Sequence, residues 1–104
     1  MTNSEYVNNI IAGENYSKKK EKIIKNILLK TMNKYKNNHW WLSDDIKIIG
    51  YYQLKERILL VNFSKFHKGI EKLLGIPVWT HELGMFRKEL IEKAEQAWIS
   101  ISKV

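Results

Sequence analysis

The chain has no cysteine. That excludes a disulfide framework, a thiolate metal site and a cysteine nucleophile, and it fits a reducing compartment. Only one proline and five glycines punctuate its 104 residues. No pair of close glycines opens a helix, so a phosphate loop is excluded, and G-x-S-x-G and H-E-x-x-H are absent as well. Arginine is nearly missing. Of 18 basic residues only Arg57 and Arg87 are arginine, which speaks against bidentate reading of bases. Long apolar runs are also missing. The longest is residues 58–61, far short of the ~18 residues of a membrane span. The first residues lack the basic and apolar regions of a signal peptide, so a cytoplasmic protein without a membrane partner is expected.

What is present is a basic chain with enough apolar residues for one small core. Hydrophobic residues make up 44%, and 18 basic against 11 acidic residues give a net charge of +7. Such a charge favours anionic partners but says nothing of the fold. The lysines and the nine asparagines also fit AT-rich coding, so part of the charge reads as compositional drift.

Apolar spacing points to helices. Tyr6, Val7, Ile10 and Ile11 recur at helical period between Ser4, a potential N-cap, and Gly13. Ser17 can cap a second helix to about Lys36, with Ile23, Ile24, Ile27, Leu28, Met32 and Tyr35 on one half of its wheel. Ser43 or Asp44 can cap a third. It either runs through to Val61 or ends near Glu56, and we prefer the second version, with residues 58–61 a short buried extended piece. Asn62 or Ser64 starts a fourth helix with the stripe Phe63, Phe66, Ile70, Leu73 and Leu74. Gly75 and Pro77 end it. Leu83, Phe86, Leu90, Ala94, Ala97, Trp98 and Ile101 form the stripe of a fifth, with Lys88–Glu92 and Glu89–Lys93 pairs on its wet side. The expected fold is mainly α, one compact domain over residues 1–104 with about five helical segments. The alternative is a small α+β domain in which residues 58–61 pair with 78–80.

Three features carry chemistry. The first is lysine-rich. Residues 1–38 hold eight Lys and three Glu, net +5, against +2 for the remainder. Lys18, Lys22 and Lys25 can face phosphates, or can simply form a solvated helix face. The second is aromatic. Trp40 and Trp41 sit at a junction, where one buried and one exposed for a partner is the expected division. The third is the segment 75–84, Gly-Ile-Pro-Val-Trp-Thr-His-Glu-Leu-Gly. A helix start near Thr80 to Gly84 would offer backbone N–H groups to an anion. Trp79 could stack on a base, His81 donate to a phosphate and Glu82 accept from a hydroxyl. The competing reading is structural: Thr80 caps the last helix, His81 and Glu82 satisfy local donors, and Trp79 is core. His67 likewise reads either as a half-buried hydrogen-bonded side chain or as a ligand contact. His39, His67 and His81 show no metal-ligand spacing, and the acids of the last helix read as solvated partners of lysines. Hence no metal, no cofactor and no catalytic residue is expected.

The run Phe63-Ser64-Lys65-Phe66-His67, followed by Leu73-Leu74-Gly75-Ile76-Pro77-Val78-Trp79-Thr80-His81-Glu82-Leu83, resembles a run in small phage and prophage proteins. The resemblance starts near Tyr51 and extends to the C-terminus. In that group the residue between the glycine and the proline is often basic, where this chain has Ile76. The resemblance implies an accessory protein that acts by stoichiometric binding. The expected function is therefore capture of an anionic, nucleotide-like ligand in counter-defence, by Trp79, Thr80, His81 and Glu82. Lys65, His67 and Arg57 would be the phosphate contacts, and a homo-oligomer would deepen the site. The alternatives are docking on a host defence protein through Trp40 and Trp41, or sequence-independent nucleic-acid binding.

Overall fold

The computed structural model describes residues 2–102. The fold is mainly α, and its described residues form six α-helices and one 3₁₀ turn with no strand. The chain divides into two compact units, residues 1–39 and 40–104. No helix among the described residues is long and apolar enough to cross a membrane.

The first unit is a helical hairpin. Helix α1 (Asn3–Ala12) buries Val7 and Ile11, and α2 (Lys18–Asn33) buries Leu28 and Met32. The α1 start is not capped by Ser4. Thr2 accepts from the Glu5 N–H while the Glu5 carboxylate accepts from the Thr2 N–H. This reciprocal capping box satisfies two helix-end donors where a serine inside the first turn satisfies none. Ser17 caps α2 as expected. Asn3 donates to Asn33 at 3.0 Å, which joins the start of α1 to the end of α2.

The second unit is built around two crossing helices, α3 (Ile46–Leu54) and α4 (Phe63–Leu74). The N-cap of α3 is Asp45, one residue beyond the expected pair. Asn62 caps α4, and Gly75 ends it in the left-handed conformation at φ 71°. The helices approach backbone to backbone at Gly50 and Gly69, both buried. Their apolar faces, Tyr51 and Leu54 from α3 and Phe66, Ile70 and Leu73 from α4, form the core with Val78, Leu83, Leu90 and Ala94.

Residues 58–61 form a connection outside α3, but it is bent rather than extended, with Leu60 buried and Leu59 exposed, and they do not pair with 78–80. The physical reason is that side chains already hold the backbone groups a ladder would use. Gln53 donates to the Ile58 carbonyl and accepts from the Leu60 N–H, both at 2.8 Å. Val78 is held in the same way by α4 side chains, as described below.

The last helical stripe is broken. Helix α5 (Glu82–Met85) stops at Phe86, which takes φ −117° and ψ 31°, and α6 (Arg87–Ser102) starts afresh. The change of register turns Phe86 outward, where its spacing from Leu83 and Leu90 placed it in the core. Ile101 is likewise exposed.

Candidate functional site

Segment 75–86 leaves α4 through Gly75, whose N–H donates to the Glu71 carbonyl at 2.8 Å. Three residues on, Val78 is stapled at both ends of its backbone. Its N–H donates to Glu71 Oε2 at 2.9 Å, and its carbonyl accepts from His67 Nε2. His67 and Glu71 lie one turn apart on α4, with His67 Nε2 3.9 Å from Glu71 Oε2. A carbonyl only accepts, so the His67 proton sits on Nε2. The Val78 side chain is buried in the core. Trp79, the next residue, is 68% exposed. Its own N–H donates to Glu82 Oε1 at 3.2 Å, and the chain then turns into α5.

Most of the expected residues are accessible. Trp79 is not core. Thr80 and His81 are exposed, and no side chain caps α5. Glu82 does satisfy a local donor, the Trp79 N–H. The N–H groups of Glu82, Leu83 and Gly84, expected to await an anion, are bonded to the carbonyls of Trp79, Thr80 and His81. His67 follows the structural reading, half-buried and engaged with Val78. Arg57 is exposed in the connection after α3. Lys65 lines a groove of about 360 Å³ with Lys68, Asn62, Ser64 and Ile46, and no residue of segment 76–86 belongs to that lining.

The division of Trp40 and Trp41 into one buried and one exposed ring is corrected: both are buried. They form the 3₁₀ turn before α3 (Trp40–Leu42), where Trp40 packs edge-on against Trp41 and stacks on Tyr52 at 5.9 Å. The aromatic series continues through Tyr51 to Trp98, stacked at 4.2 Å. The pair is thus part of the scaffold. Lys18 and Lys22 are exposed on α2, and Lys25 is half-buried.

Sequence reasoning missed three exposed apolar side chains of the same segment, Ile76, Met85 and Phe86. It also missed Glu71, which spacing alone places on the wet side of α4. The proline after Ile76 and the glycine before Met85 were signals of a turn, but not of its facing.

Helix α6 is tied to α3 by a polar cluster. Lys55 Nζ lies 2.7 Å from Tyr51 Oη and 2.7 Å from Glu95 Oε1, and the Tyr51 hydroxyl donates to the Glu95 carboxylate at 3.0 Å. The hydrogen bonds from Lys55 and then Tyr51 hold the Glu95 carboxyl below its ordinary 4.5. Burial works against the Lys55 ammonium, but its bonds to Glu95 and Tyr51 outweigh this and raise it above 10.5. The lowered Glu95 contributes stability above the ordinary carboxylate value, lost as pH falls through its folded value. The raised Lys55 contributes below the ordinary lysine value, lost as pH rises through its folded value. Glu5, lowered by the Thr2 cap, acts in the same direction as Glu95. Lowering the pH from about 6 to about 3 is expected to depress Tm, and Glu95→Gln to flatten part of that fall. Thermal melts across the range check this. An acid limb of unchanged slope in Glu95→Gln would show that the cluster does not tie α6 down.

Among the described residues, no three His, Asp or Glu side chains come together as a metal-binding group. No curated protein and no solved structure matches the chain. A family model described as "Domain of unknown function (DUF7736)" matches residues 48–104, more than half of the sequence. The match takes in most of α3, all of α4, the 75–86 segment and α6. By that match the chain belongs to the family of this domain, DUF7736.

Proposed function

We propose that the protein is a non-enzymatic, phage-type accessory protein of the cytoplasm that docks on a partner protein through segment 76–86. The observation that carries this reading is Trp79, a large aromatic ring 68% exposed on a backbone fixed on both sides. A protruding tryptophan on a fixed backbone leaves only its side-chain torsions to be ordered on binding and suits a hot spot. Its neighbours along the segment, Ile76, Met85 and Phe86, are exposed too, and Trp, Phe and Met are the residue types enriched at protein interfaces. In the counter-defence setting implied by the resemblance, the partner is a component of a host defence complex.

Capture of a nucleotide-like anion is the second reading. Lys65 and Lys68 on one groove favour it, and so do the exposed Trp79 ring and the adjacent His81. It is weaker, because the amides of residues 82–84 and His67 are already engaged. A shallow groove of this size is also where a homo-oligomer would complete a site.

Native mass spectrometry of the protein purified from its host, before and after denaturation, separates the readings. A bound protein that is lost from Trp79→Ala supports docking. A released species of nucleotide mass moves the function to the second reading, and neither species overturns both. Trp79→Ala is expected to change stability by less than about 0.5 kcal/mol, as for exposed positions. It is expected to weaken the partner complex about 30-fold or more.

A further inference from the structure

The exposed side of α2 around Ile23 combines two features that few partners accept together. It is basic: at ~100° per residue Lys19, Lys20 and Lys30 share this side of α2, while Glu21 and the half-buried Lys25 lie on the Leu28 side. Within this face two large aliphatic side chains stand out, Ile23 at 53% and Ile27 at 46% exposure. They are four residues apart, so they are neighbours on the helix surface, and Lys19 and Lys30 continue the same stripe on either side. Leu28 and Met32 already supply the buried face of α2, so Ile23 and Ile27 are surplus to it.

The chemistry of the face selects among occupants. A second copy is disfavoured, because it would bring two faces of like charge together. Nucleic acid would take the lysines but offers its phosphates nothing to do with the isoleucines. A specific protein groove favours arginine and selects against lysine, and residues 1–38 contain no arginine. An anionic lipid surface takes both features. Long lysine stems lie along the headgroup region with their ammonium groups in water, while aliphatic side chains enter the acyl boundary. A diffuse layer of negative headgroups needs point charges rather than rigid forks. Tyr16, whose ring lies under the Lys20 ammonium at 5.2 Å, adds an aromatic at the N-terminal end of the same helix.

We infer that the outer face of α2 is a peripheral binding surface for anionic lipid membranes, with Ile23 and Ile27 inserting and the surrounding lysines holding the headgroups. The expectation of no membrane partner was drawn from the lack of a spanning segment, and surface binding needs none. This surface is independent of Trp79.

Vesicle sedimentation of the full chain tests it. Phosphatidylcholine vesicles with about 30% phosphatidylglycerol should pellet the protein, and pure phosphatidylcholine vesicles should not. Ile23→Ala/Ile27→Ala, which leaves helix propensity intact, should weaken anionic-vesicle binding about tenfold or more, with an unchanged circular dichroism spectrum. Lys19→Gln/Lys20→Gln/Lys30→Gln should weaken it as well and reduce its salt dependence. Failure to bind anionic vesicles overturns the inference. So does binding that the isoleucine pair does not affect, which would mark a purely electrostatic surface. Duplex DNA serves as the comparison probe. Binding to DNA as tight as to vesicles, and indifferent to the isoleucine pair, would reassign the face to nucleic acid.

Discussion

Gly69→Ala is expected to destabilise the protein by about 3 kcal/mol or more, the upper end for an overpacked site. For a domain of this size the corresponding fall in Tm exceeds about 10 °C. A Cβ at Gly69 would lie 2.2 Å from the Ile46 carbonyl oxygen and 3.0 Å from the Gly50 nitrogen. Both obstacles are backbone. A crowded side chain can change rotamer, whereas a crowded helix must move as a body, and the crossing of α3 and α4 must open. Tyr51 and Leu54 would then draw away from Phe66, Ile70 and Leu73. The damage reaches the site, because α4 also carries His67 and Glu71, which hold Val78. Gly50→Ala should behave alike, since its Cβ would meet the Gly69 carbonyl carbon at 2.5 Å. Gly84→Ala is the control. Nothing lies within 4 Å of its Cβ, and the outcome expected there is no loss, or a gain of about 0.5 kcal/mol from helix propensity. Urea unfolding of the three variants measures the series. A Gly69→Ala protein within about 1 kcal/mol of the parent would mean that the helices do not cross at this point.

The same two glycines mark where sequence reading stops. Period and caps made most helices legible. Ser17, Asn62 and Gly75 act where turn chemistry places them, because a cap is decided by neighbours along the chain. Gly50 and Gly69 are 19 positions apart, and each alone reads as a weak point in a helix. Their meaning exists only once α3 and α4 are brought together. Phe86 fails for a related reason. Its spacing continues the stripe of Leu83 and Leu90, and only the break at its own backbone turns it outward. For Trp79 the relevant contacts lie one residue away: two α4 side chains hold the backbone of Val78, whose own side chain is buried in the core. Segment 75–84 was therefore legible as an unusual concentration of chemistry, but not its facing. That facing shifts the proposal from an anion pocket towards an apolar docking element.

Gln53→Leu is expected to cost about 2–4 kcal/mol, although it replaces a polar side chain in the core by an apolar one of similar size. Gln53 is buried, and its amide closes two hydrogen bonds at 2.8 Å with the Ile58 carbonyl and the Leu60 N–H. Leucine would restore the volume and leave both backbone groups without the side chain that holds them. The Leu60 bond is itself buried, so its N–H has no easy access to water. The connection after α3 would loosen, and with it the Glu56 carbonyl that accepts from Arg87 Nη2 at 2.8 Å at the start of α6. Gln53→Glu separates hydrogen bonding from shape. An ionised carboxylate can still accept from the Leu60 N–H but cannot donate to the Ile58 carbonyl, and it carries a buried charge. Its protonated form can do both. Burial therefore raises the folded-state value of a glutamate at this position, so its deficit grows as pH rises above the ordinary carboxylate range. Urea unfolding of parent, Gln53→Leu and Gln53→Glu at about pH 5 and about pH 7 reads the difference at each pH. The Gln53→Glu deficit should shrink at the lower pH while the Gln53→Leu deficit stays constant. A constant deficit for both would assign the effect of Gln53 to packing. A neutral Gln53→Leu would show that the connection is held without the amide.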